Sequence, residues 1–355
     1  MKAATVQIFE GAGKPLRLQQ QRLPDHLGHR EVLVRISLAT ICGSDLHTFG
    51  GHRQTPTPCI LGHEAVGQVI QTGPGRPELL PGDRVTWSIA DSCGTCPACT
   101  QFGLPEKCES VFKYGHAAMS DGTGLNGSYA SHVLLRAGTH IVKVTDRLSD
   151  ALVAPANCAL ATMVNAIARV PKNCRVAVIQ GAGLLGLYGC ALLRERGVSR
   201  IFCVDVSPDR LARVSQFGGI PVDGRPENYA QQREEILKSA PRGVDAVLEV
   251  AGVAALVKEG IRLLRPGGIY ELVGLVHPDS QLNVTGEEII RKCLTLHGTH
   301  NYAPWHLDEA VAFLERTRDL YPYETLVSPP FLLADLPNAF TEAGARHWPR
   351  VSVRA

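Results

Sequence analysis

An apolar run from Val176 to Leu193, interrupted by Gly181-Ala182-Gly183-Leu184-Leu185-Gly186, constrains the fold more than any other stretch of this chain. The residues before the glycines, 175–179, have the β-branched, apolar character of a buried strand. Those after Gly186 read as a helix ending near Arg196-Gly197. The glycine break excludes a membrane span and leaves strand, turn and helix in the order that opens a dinucleotide-binding unit. Such glycines allow a tight turn and let a pyrophosphate approach the helix N-terminus, where free N–H groups attract anions. The next strand candidate, Ile201 to Asp205, ends on a carboxylate placed to accept both hydroxyls of an adenosine ribose. Its charge repels a 2′-phosphate, so NAD is expected over NADP, with Arg210 nearby in the same cofactor-binding group. Ser207-Pro208 reads as the cap and first turn of the following helix.

The surrounding pattern divides the chain in two, and its 355 residues suffice for two cores. After Asp150, strand candidates at 175–180, 201–206, 245–250 and 268–274 alternate with helical stretches, as a doubly wound parallel sheet requires. From Glu31 to about Lys143 the chain reads instead as short strands broken by Gly and Pro, at 32–36, 66–70, 83–87 and 129–135. These suit an antiparallel, barrel-like domain. The tail after His300, with one helix from Asp308 to Arg316, is expected to rejoin it. The expected division is therefore residues 1–153 with 299–355, and residues 154–298.

A net charge of +2, without long like-charge runs or basic residues interleaved with aromatics, argues against a nucleic-acid partner. The start, Met1 to Ile8, has no apolar core or cleavage site, so a cytoplasmic chain without a membrane partner is expected. Eleven cysteines in that reducing compartment point to metal and thiol chemistry rather than disulfides.

Cys93, Cys96, Cys99 and Cys108 lie in a loop rich in Gly, Pro and Thr. Short spacers let three thiolates converge on one ion and the fourth closes the tetrahedron, the donor set of a structural zinc. A second set is Cys42-Gly43-Ser44-Asp45-Leu46-His47 with Gly62-His63-Glu64. Singly, Cys42 reads as a small buried hydrophobe, His63 as a core histidine and Glu64 as a solvated charge. A mixed shell of Cys and His with a vacant position is, in contrast, the kind that polarises a substrate oxygen.

Together these motifs resemble, from end to end, the zinc-containing alcohol dehydrogenases of the medium-chain dehydrogenase/reductase superfamily. The resemblance implies a GroES-like catalytic domain and a Rossmann NAD domain, with zinc at each of the two clusters. It gives Cys42, His63 and Cys158 as catalytic zinc ligands and Glu64 as a transient or water-linked one. Cys158 is followed four positions later by Thr162, as many alcohol dehydrogenases have it, and Ala154 stands where polyol and threonine dehydrogenases carry a Glu. The implied reaction passes hydride between an alcohol and NAD. Ser44 takes the alcohol proton, His47 forms the outer end of the relay and Asp45 orients a ligand imidazole. A polyol or threonine dehydrogenase is the alternative. Zinc-free quinone or enone reductases and nucleotide-binding structural relatives share the architecture but usually lack the catalytic ligands. The resemblance further implies a small-molecule substrate and a homodimer or homotetramer paired near Leu294 to Gly298.

Two departures stand out: an eight-residue last spacer in the cysteine loop, and Arg76 after Gly73-Pro74-Gly75. His52, Arg53 and the segment Lys113-Tyr114-Gly115-His116 could present cations and hydrogen-bonding groups to an anionic tail, or be merely solvated loop charges. Residues 103–109, 113–116 and 155–158 also resemble alcohol dehydrogenases associated with phosphonate catabolism, which implies an anionic hydroxyalkyl substrate such as a hydroxyphosphonate.

Overall fold

The structure, a computed structural model, describes residues 3–277 and 280–355. Met1 and Lys2 of the N-terminal stretch lie outside them. The chain forms two compact units, one of residues up to Ala161 together with Tyr302–Ala355, the other of Thr162–Asn301.

The first unit is organised by strand Val32–Ile41, which is buried along most of its length and turns Arg35 and Ser37 outward. This strand pairs antiparallel with Glu64–Thr72, His132–Leu135 and Val351–Arg354, while Arg84–Asp91 extends the sheet from Glu64–Thr72. The strands expected at 32–36, 66–70 and 83–87 are thus present and longer. The fourth begins later, at His132, with Ala130 making only an isolated bridge to Val6. The tail rejoins this unit through helix Pro304–Thr317 and strand Val351–Arg354. Val6, Val34, Trp87, Tyr129, Leu135 and Phe340 share the single core beneath the sheet. Each large apolar side chain buried there contributes about 1.5–3 kcal/mol.

Register decides what meets at the end of the central strand. Thr40 lies opposite Glu64 and Ile41 opposite Val351. Cys42, His63 and Arg350, the next residues outward, therefore gather at one point although they are far apart in sequence.

The second unit is a six-stranded parallel sheet. In spatial order its strands are Ile220–Asp223, Arg200–Asp205, Val176–Gln180, Val244–Glu249, Leu264–Leu272 and Thr295–Gly298. The four expected strands occupy the centre, and the two short additions lie at the edges. Pro221 is tolerated because an edge strand can spare a ladder donor. Chain direction across the sheet reverses between Val176–Gln180 and Val244–Glu249, and the carboxyl ends of strands at such a switch point form a ligand crevice.

Gly181 stands at that point with φ +114°, and Gly183 caps helix Leu184–Glu195. A Cβ on Gly186 would lie 1.9 Å from the Gly181 carbonyl oxygen, so only glycine lets the helix approach the strand this closely. One helical stretch among the described residues, Asp150–Ala168, is long and apolar enough to cross a membrane. Burial of 78% of its window accounts for that apolarity by packing.

Candidate active site and cofactor site

Donor atoms of Cys42, His63, Glu64 and Cys158 all lie within 4.8 Å of one another. Cys42 caps the seven-residue helix Gly43–Phe49, and His63 immediately precedes the neighbouring strand that Glu64 opens. Cys158 sits on a π-helical turn, Ala156–Leu160, in the same unit as the other three. Asn157 fixes that turn by donating to the carbonyls of His63 at 3.0 Å and Trp87 at 2.9 Å, and its own carbonyl accepts from Tyr302. The Cys42 and Cys158 sulfurs are 4.0 Å apart. Zn–S bonds of about 2.3 Å in a tetrahedron put sulfurs roughly 3.8 Å apart, so the pair fits a zinc ion.

The groups behind these donors orient them. Asp45 is fully buried, with Oδ1 3.3 Å from His63 Nδ1, and its Oδ2 accepts from the Cys42 amide at 3.0 Å and the Tyr129 hydroxyl at 2.9 Å. The Asp45 carboxylate thus stands beside the His63 ring, but neither Oδ1 nor Nδ1 has a hydrogen-bond partner among the described residues, and Nε2 of His63 is the nitrogen left for a metal. Burial pulls His63 down, but Asp45 and Cys42 outweigh it and raise the ring above its usual value. Hydrogen bonding to Cys158 and the charge of Arg350 hold the Cys42 thiol well below the usual range against burial.

Glu64, also fully buried, accepts from Thr40 Oγ1 at 2.6 Å and from Arg350 Nε at 2.8 Å on one oxygen, and from Arg350 Nη2 at 3.0 Å on the other. Three hydrogen bonds thus hold the Glu64 carboxylate in place and leave it little spare acceptor capacity. Arg350 also reaches Cys42 Sγ at 3.7 Å. Arg350, Tyr129 and Asn157 shape the site, yet none carries a local sequence signal. Ser44 Oγ lies 3.5 Å from His63 Nε2, and His47 is exposed on the same short helix, its ring 6.3 Å from that of His52.

The four other cysteines also converge. Cys96 Sγ is 3.6 Å from Cys99 Sγ and 3.9 Å from Cys108 Sγ, close to a tetrahedral edge. Backbone amides of Thr95 and Cys96 donate to Cys93 Sγ at 3.4 and 3.3 Å. With the Thr95 hydroxyl these bonds bring the Cys93 thiol down to about 5, a donor set suited to zinc. The eight-residue spacer closes through a turn at Pro105–Lys107. The unexpected Arg76 is buried and satisfied, donating to the carbonyls of Arg30, Ala137 and Thr139.

In the second unit, Asp205 ends its strand beside the glycine turn, accepting from Ala182 N at 2.8 Å and Ser207 N at 2.9 Å, with Arg210 Nη1 3.5 Å away. Ser207 occupies the cap position, but its side chain makes no capping bond. The carboxylate of Asp205 takes the Ser207 amide instead. Leu184 is buried and Leu185 half-buried on the helix that Gly183 opens, and Thr295–Gly298 lies at the sheet edge.

Of the residues expected to face an anionic tail, Tyr114 does not. Its hydroxyl is buried, 2.7 Å from Thr139 Oγ1 and accepting from Arg136 N at 2.8 Å, and its ring packs edge-on to Phe112 in the core. His52 and Arg53 are exposed, Lys113 is half-buried, and the His116 ring is 5.3 Å from that of His63.

Two family models match the chain, the alcohol dehydrogenase GroES-like domain over residues 28–146 and the zinc-binding dehydrogenase over 185–316. The 5-exo-hydroxycamphor dehydrogenase of Pseudomonas putida is 28% identical, covering 88% of this chain and 89% of that protein. Galactitol 1-phosphate 5-dehydrogenase of Escherichia coli is 30% identical over 82% of each. Among solved structures, an alcohol dehydrogenase from Thermotoga maritima superposes with a TM-score of 0.94 at 29% identity, over 100% of both chains. With its two zinc-type donor clusters and matches to both halves, the chain belongs to the zinc-containing alcohol dehydrogenases of the medium-chain dehydrogenase/reductase superfamily and is an oxidoreductase.

Proposed function

We propose that the chain interconverts an alcohol and its aldehyde or ketone with NAD, using Cys42, His63 and Cys158 as the catalytic metal ligands. The observation that carries this reading is the convergence of these donors with the Ser44 hydroxyl 3.5 Å from His63. Zinc held at this cluster would supply the Lewis acidity that lowers the pKa of a substrate hydroxyl, and NAD would supply the hydride acceptor. Asp45 holds the His63 tautomer, Ser44 receives the hydroxyl proton, and exposed His47 hands it outward. Arg350 and Thr40 keep the Glu64 carboxylate beside the ligands but engaged. Cys93, Cys96, Cys99 and Cys108 hold a second zinc that orders their loop.

The glycine turn and the N-terminus of helix Leu184–Glu195 receive the pyrophosphate. Asp205, with Arg210 beside it, faces the ribose and favours NAD over NADP. A polyol or threonine dehydrogenase of the glutamate-ligand type is disfavoured by Ala154, which is buried and offers no donor. Within the alcohol class we place the substrate among anionic hydroxyalkyl compounds, a hydroxyphosphonate being one, on the strength of Arg53 and Lys113. A cytoplasmic homodimer or homotetramer pairing through the edge strand Thr295–Gly298 completes the reading, and a monomer by light scattering would count against it.

Metal analysis with initial rates tests the core of this reading. The wild type should hold about two zinc ions per chain. Cys158→Ala should lose one of them and all turnover while still binding NAD. Near-normal rate with full metal in that variant would refute the assignment.

A further inference from the structure

Two cations of the first unit, Lys113 and Arg53, have no counter-ion among the described residues. Lys113 follows Phe112 on a two-residue strand whose register sets Lys113 opposite Ala90. Phe112 turns into the core, packing edge-on to Tyr114 at 5.2 Å, so alternation sends Lys113 to the other face. There the Lys113 ammonium is half-buried and no side chain or carbonyl among the described residues accepts from it. Burial, then Lys107 and Arg53, pull it below the usual lysine range.

The Arg53 guanidinium likewise has no acceptor among the described residues. The Arg53 backbone amide donates to the His47 carbonyl at 3.2 Å, and Thr55, two residues on, donates to the His116 carbonyl at 3.3 Å. The first bond ties the Arg53 segment to helix Gly43–Phe49 and the second ties it to the 113–116 turn. Gly115, at φ +74°, lies directly on Gly62, since a Cβ there would come within 2.5 Å of the Gly62 oxygen. Only glycine permits that contact, and it sets His116 against metal ligand His63. Nδ1 of His116 is buried and without a hydrogen-bond partner.

A half-buried ammonium without an acceptor and an orphaned imidazole nitrogen cost stability unless a ligand engages them. We propose that Arg53, Lys113 and His116 form an anion subsite beside the catalytic cluster, which takes the tetrahedral dianion of a hydroxyalkyl phosphonate or phosphate ester. Arg53 and Lys113 supply charge, and the His116 ring, 5.3 Å from that of His63, bounds the end nearest the metal ligands. The subsite rests on the reading that Cys42, His63 and Cys158 hold the reacting end of the substrate.

The test uses the full-length, zinc-loaded protein saturated with NAD, titrated calorimetrically with methylphosphonate, which carries no hydroxyl to oxidise. Saturable binding is expected, weakened about tenfold or more in Lys113→Met and in Arg53→Met. No saturable binding to the wild type, or wild-type affinity in both variants, overturns the proposal. Methylphosphonate binding needs no turnover, so loss of the subsite and loss of the dehydrogenase reading register separately. In parallel, kcat/KM for hydroxyethylphosphonate and hydroxyethyl phosphate should exceed that for a neutral alcohol of equal length and fall selectively in the two variants. The better of the two dianions identifies the source, and equal efficiency for charged and neutral substrates overturns the proposal.

Discussion

Replacing Arg350 with Met should destabilise the first unit more than any surface change could. The variant removes two charge-assisted bonds to Glu64 and the contact with Cys42 Sγ, leaving a fully buried carboxylate held only by the Thr40 hydroxyl. Breaking one side of a buried ion pair costs about 3–5 kcal/mol, chiefly because the remaining charge has lost both water and partner. Arg350→Met is therefore expected to lose stability in that range. Neutralising the orphan in Glu64→Gln/Arg350→Met should recover roughly 2 kcal/mol, since the amide can still accept from Thr40. Urea unfolding at fixed free zinc followed by tryptophan fluorescence measures this, because bound metal stabilises by mass action. All three tryptophans, Trp87, Trp305 and Trp348, lie in the unit that holds Arg350, so the signal reports that unit rather than a mixed transition. A single variant within about 1 kcal/mol of wild type, or a double variant no better than the single, would refute the argument, because a buried orphan charge cannot be that cheap.

Two further substitutions probe the other sites. Cys96→Ser should cost one zinc and disorder the 93–108 loop, seen as fast amide exchange there, without altering the chemistry at Cys42; a stable variant with full metal would show the closed cluster misread. Asp205→Gly should weaken NAD and shift preference toward NADP, with Arg210 free to meet the added phosphate; steady-state kinetics with both cofactors checks it, and a wild type that already prefers NADP would contradict it.

What the sequence made legible was mostly short-range. Gly181, Gly183 and Gly186 announce strand, turn and helix because the three lie within six residues, with Gly186 packed on the Gly181 carbonyl. The four clustered cysteines converge within sixteen positions for the same reason. Cys158 needed the family resemblance, since nothing near Ala156–Leu160 foretells a π-helical turn. Arg350, Tyr129 and Asn157 escaped notice because their partners are set by sheet register, with Arg350 286 positions from Glu64 and Tyr129 84 from Asp45. Strand Arg17–Arg22, written Arg-Leu-Gln-Gln-Gln-Arg, was equally opaque, as it offers no apolar alternation and exists only by pairing with Ala3–Ile8. The sequence neighbours of Tyr114 suggest the substrate, whereas packing on Phe112 and the bond to Thr139 commit its ring to the core.

The pairing of Val351 with Ile41 sets an order of events for a growing chain. Glu64 leaves the ribosome 286 residues before the guanidinium that neutralises it, and the whole of Thr162–Asn301 is made in between. At about 5–20 residues per second that interval is roughly 15–60 s. Throughout it the carboxylate can enter a dry core only by taking up a proton, which disfavours closing the end of the central sheet while the parallel sheet is free to fold. Zinc ligands synthesised early are thus kept accessible to metal until the last strand docks, and closure of the pocket becomes a late step in biogenesis.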